Sequence, residues 1–65
     1  MTAYDAEDIY LAHIDKPYGK AFAQTVGRFQ EGFLRDKVCK NCDDAFAKAV
    51  DAAVRLLPVI QARAA

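Results

Sequence analysis

Sixty-five residues allow one small domain, and a core of that size rarely supplies more than about 3–5 kcal/mol of stability. Hydrophobic content is 54% and formal net charge is zero. The chain is therefore expected to carry more apolar surface than it hides alone, and the charge balance argues against a dedicated nucleic-acid or membrane-surface binder. No apolar run approaches the ~18 residues of a membrane span, and no basic-then-apolar signal peptide opens the chain. The expectation is a cytoplasmic protein with reduced cysteines.

The charge is unevenly placed. Residues 1–15 hold four acids (Asp5, Glu7, Asp8, Asp15) and no Lys or Arg. Residues 16–40 hold six bases against Glu31 and Asp36, and residues 41–65 balance at three and three. An acidic first segment beside a basic middle favours docking of one on the other, within a chain or between chains.

The first element is a short helix over about 3–14. Thr2 with Asp5 forms a capping box, Asp standing where Glu is usual. Asp5, Glu7 and Asp8 suit the positive end of the helix dipole. Ala6, Tyr10, His13 and Ile14 share a face. A helix this short is marginal alone and needs a surface to lie on. Asp15 to Gly19 breaks it, because the residue before Pro17 avoids helical dihedrals.

A second helix runs over about 18–36. Tyr18, Phe22, Val26, Phe29 and Phe33 form one stripe, while Lys20, Gln24, Arg28, Glu31 and Arg35 form the opposite one. Gly27 and Gly32 cost about 1 kcal/mol each relative to alanine. Gly19, Ala23 and Gly27 recur every fourth residue, a ridge that would let another backbone approach closely. The ridge packs inside the chain or forms a partner or dimer face made by Tyr18, Gly19, Phe22, Ala23, Val26, Gly27, Phe29 and Phe33.

Residues 37–41 are a short turn, so the flanking helices should lie antiparallel. The third helix, about 42–57, carries the most regular pattern. Phe46, Val50, Ala53, Leu57 and Ile60 recur at spacings of four and three. Cys42, Ala49 and Val54 widen the seam. Asn41 is an N-cap, and Asp44–Lys48 and Asp51–Arg55 are i,i+4 pairs. Pro58 predicts a kink or stop near Leu57, with Val59 to Ala64 resuming as a frayed turn. The architecture expected is all-α: an antiparallel helical hairpin with a short N-terminal helix, in one domain over 1–65, assembling as a dimeric bundle.

Few residues could carry chemistry. Cys39 and Cys42 form a CxxC at a helix N-terminus, where a thiolate is stabilised. As a zinc half-site the pair needs two more ligands, from His13 or from a second copy. Helix, CxxC, helix resembles the zinc hook at the tip of long coiled-coil ATPase arms. That likeness covers the four motif residues and implies four sulfurs shared across a dimer. A thioredoxin-type redox pair would follow a strand, and no strand is predicted. The commoner reading makes Cys42 a small buried apolar residue and Cys39 a turn thiol.

His13, on an apolar face, reads as a packed side chain. With no serine in the chain, Ser-His-Asp catalysis is excluded. No pocket of ligand size is expected in so short a chain. The reading is a non-enzymatic protein without a cofactor, acting by protein–protein binding as an adaptor, regulator or inhibitor, and as a homodimer. A zinc-stabilised hairpin on Cys39 and Cys42 is the first alternative. A small nucleic-acid binder using Lys20, Gln24, Arg28 and Arg35 is the second.

Overall fold

Two of the helices begin where the sequence supplies a side-chain partner for a free backbone amide. The computed structural model describes residues 1–64 as four helices, with no strand among them: α1 Ala3–Ile14, α2 Gly19–Arg35, α3 Cys42–Arg55 and α4 Leu57–Ala64. The Asp5 amide donates to Thr2 Oγ1 at 3.2 Å and the Thr2 amide to Asp5 Oδ2 at 3.4 Å, closing the capping box. Asn41 Oδ1 accepts from the Asp44 amide at 2.9 Å at the head of α3.

The end of α2 is a Schellman motif without its usual glycine. The Val38 amide donates to Phe33 O at 2.9 Å and the Lys37 amide to Leu34 O at 3.2 Å. This places Lys37 at φ 60°, a left-handed conformation that costs a residue bearing a Cβ about 1–2 kcal/mol.

Pro58 acts as expected, and the chain then does more than fray. Residue 56 caps α3, its amide donating to Ala53 O at 3.0 Å. Helix α4 starts at Leu57, which puts Pro58 in a first turn, where its missing N–H costs nothing. The third predicted helix thus stops at Arg55, short of residue 57, and the last segment is a helix in its own right.

The core forms between α3 and the faces of α1, α2 and α4 turned toward it. Its buried members are Ala6, Phe22, Val26, Ala47, Ala49, Val50, Ala53 and Ile60. Among the described residues only Phe22 and Val50 are large and fully buried, each worth about 1.5–3 kcal/mol by transfer from water. Ala45, Ala49 and Ala53 are all at 0% exposure. A wall of methyl groups lets α2 come close, and the α2–α3 contact is the most extensive in the molecule. Tyr10 meets Phe22 at 6.0 Å and Phe46 edge-on at 5.5 Å between ring centroids.

The radius of gyration is 11.2 Å, close to the ~10.7 Å of a compact chain this long. One copy therefore closes on itself. Of the expected ion pairs, Arg55–Asp51 forms at 3.4 Å. Asp44–Lys48 does not close among the described residues, where the other bridge is Arg35–Asp36.

Gly19 stands against the C-terminus of α1. A Cβ there would lie 2.0 Å from Ile14 O, which is backbone and cannot swing away. At Gly27 and Gly32 a Cβ would meet nothing within 4 Å. Gly19→Ala should therefore lower unfolding stability by about 2–3 kcal/mol, while Gly27→Ala raises it by about 0.5–1 kcal/mol. Urea denaturation of the two variants checks both signs, and equal effects would sink the account. Lys37→Gly should raise stability by about 1 kcal/mol in the same assay; no gain would mean the Schellman geometry is wrong.

Candidate functional site

The break at Leu56 sets α4 beside α2 and opens a groove between them. Ala21, Phe29, Leu56, Val59 and Ile60 make its apolar lining. Gln24, Thr25, Arg28 and Arg63 supply its polar groups. The volume is about 490 Å³, inside the ~300–1,000 Å³ of ligand sites. It is a half-open surface groove rather than an enclosed pocket. The space lies between two helices at the surface, with Ile60 of the core in its wall.

Leu56 and Val59 at the groove are 38% and 46% exposed. Thr25 turns its hydroxyl inward along its own helix, donating to Ala21 O at 2.8 Å. No acidic residue lines the groove, so Arg28 and Arg63 set its charge.

The expected interface residues divide. Phe22 is at 0% exposure and Val26 at 2%, and Gly19 is buried against Ile14. These three are buried within one copy of the chain. Tyr18, Phe29 and Phe33 are partly buried and pack on the core; Phe29 stacks on Phe33 at 5.8 Å. Ala23 is half-buried and Gly27 exposed, so the small-residue ridge does not form one packed seam. Of the eight residues, Phe29 alone reaches the groove. Leu56, Val59, Ile60 and Arg63 were missed. Their signal was present as Pro58, which prepares a new helix start, followed by apolar residues at 59 and 60.

The two cysteines exchange their expected places. Cys39 is buried and Cys42 exposed, and both are free thiols. Cys42 has the right azimuth for the core but is the first residue of α3, so it overhangs the packed layer. Meanwhile the turn folds back on α2, the Cys39 amide donating to Phe33 O at 3.2 Å, which tucks that side chain in. Gln30 Nε2 donates to Cys42 O at 3.3 Å, tying the head of α3 to α2. No group of three or more His, Cys, Asp or Glu among the described residues could hold a metal ion. A second depression of about 490 Å³ lies at this turn, lined by Met1, Val38, Cys39, Lys40, Asp44, Ala47 and Lys48.

His13 lies far from that motif in role. Its Nδ1 and the Tyr18 hydroxyl share a hydrogen bond of 2.7 Å, and its ring meets Phe22 at 5.0 Å. It joins α1 to the head of α2. The basic stripe Lys20, Gln24, Arg28 and Arg35 is exposed, as read from the sequence. Arg35 is engaged with Asp36 at 3.3 Å. Among the described residues no helix is long and apolar enough to cross a membrane. No family model, curated protein or solved structure matches the chain.

Thiol labelling of the native protein should show two phases: Cys42 reacts at the rate of an exposed thiol, and Cys39 only as the turn opens. Equal rates, or a fast Cys39 left in Cys42→Ala, would contradict the placement.

Proposed function

We propose that this protein acts by binding another protein, taking an amphipathic helix into the groove between α2 and α4. An adaptor, a regulator or an inhibitor works through such a contact. The observation that carries the reading is an apolar floor beside two unopposed arginines, with Leu56 and Val59 left in water. Aromatic and arginine side chains are the usual anchors of protein interfaces. A helix laid in a groove presents apolar residues at i, i+3, i+4 and i+7. Arg28 and Arg63 favour acidic residues beside the stripe. The groove is too open to enclose a small molecule fully, which suits a macromolecular occupant better than a substrate.

The reading is tested by titrating three synthetic helical peptides into the isotope-labelled chain. They share one apolar stripe and carry acidic, neutral or basic flanks. The acidic peptide should shift the amides of Ala21, Thr25, Phe29 and Val59 most, and Val59→Glu should abolish the shifts. Val59 is exposed, so its substitution leaves the core alone. If no peptide moves those amides, the groove is not a binding site.

A further inference from the structure

Helix α1 has two faces, and only one is used by the fold. Ala6, Ile9, Tyr10 and Ile14 face the core cluster. On the other side Tyr4 is 83% exposed and Leu11 50% exposed. Seven residues apart, they stand on one line about 10 Å long. Glu7 and Asp8 lie between them on either side of that line, both exposed. The outer face is thus a short apolar stripe with an acid on each flank.

This is the chemistry the groove lacks. Its lining has arginines and no acid; α1 has acids and, over residues 1–15, no Lys or Arg. The chain cannot satisfy itself, because α1 packs on α3 and α2 and makes no contact with α4. The depression beside Cys39 is a poorer match, since it already holds Asp44.

Building on the groove reading, we propose that the occupant is the outer face of α1 from a second copy of this chain. Tyr4 and Leu11 enter the apolar floor, and Glu7 and Asp8 meet Arg28 and Arg63. The donor and acceptor faces differ. A pair related by a two-fold axis makes the contact twice; other rotations give rings or filaments.

Sedimentation velocity on the full chain tests this, with a reductant present so that Cys42 cannot cross-link copies. From micromolar to millimolar concentration the wild type should pass from monomer to a larger species. Added salt should weaken that step, because the charges are exposed. Arg28→Glu with Arg63→Glu, and separately Glu7→Lys with Asp8→Lys, should each weaken self-association at least about tenfold. An equimolar mixture of the two charge-reversed chains should recover a mixed complex. Leu11→Lys, at an exposed position, should weaken association without touching the first turn of α1, and circular dichroism confirms that each variant is folded.

A wild type that stays monomeric throughout overturns the proposal, as does a mixture that recovers nothing. A monomeric wild type whose groove amides still move with the acidic peptide removes α1 as occupant and leaves the groove reading standing. A monomer whose groove ignores every peptide removes both.

Discussion

One aromatic ring set against a wall of methyl groups holds this small fold together. Phe22 is fully buried in one cluster with Ala49 and Ala53 of α3, both at 0% exposure. Alanine carries the best helix propensity and leaves no bulk between backbones. Phe22 of α2 and Val50 of α3 are then the large buried side chains, and dispersion contacts accumulate over a short distance. Gly19 serves the same arrangement from the far side. It lets the end of α1 rest against the start of α2, which brings the His13 ring to 5.0 Å from Phe22 and the Tyr10 ring to 6.0 Å. The His13–Tyr18 hydrogen bond fixes that corner. The α2–α3 contact therefore sets Phe22 among small side chains, while Val50 and Phe46 supply the bulk on α3.

Most of this was legible in the residues. The Thr2 and Asn41 caps, the break at Pro17 and the stripe from Phe22 through Val26 are local signals, read over one or two turns, and they lie where the pattern put them. The limits of reading appear where position depends on what another element covers. Cys42 has a core-facing azimuth but sits one turn too early to be covered. Gly19 and Gly27 look alike in spacing, yet one meets a carbonyl oxygen and the other meets solvent. Lys37 shows the same limit: glycine is the signal for a left-handed cap, and a lysine gives none. The groove was hidden for a related reason. It is made by residues 27 to 42 positions apart, on α2 and on the stretch from Leu56 to Arg63, and no local period describes it.

The groove itself follows from how the chain distributes apolar residues after Pro58. Ile60 turns into the core at 5% exposure, while Val59 beside it stays 46% exposed. Leu56 and Val59 thus frame a gap over Ala21 and Phe29. A domain this size has little stability to spare. Any occupant of the gap that binds only the folded chain adds RT ln(1 + [L]/Kd), about 2.7 kcal/mol at a hundredfold excess over Kd. That is a large share of what one such core supplies, so folding and occupancy of the groove are coupled whatever the occupant is. The same small core that obliges α3 to be rich in alanine leaves the surface of α2 and α4 sensitive to being covered.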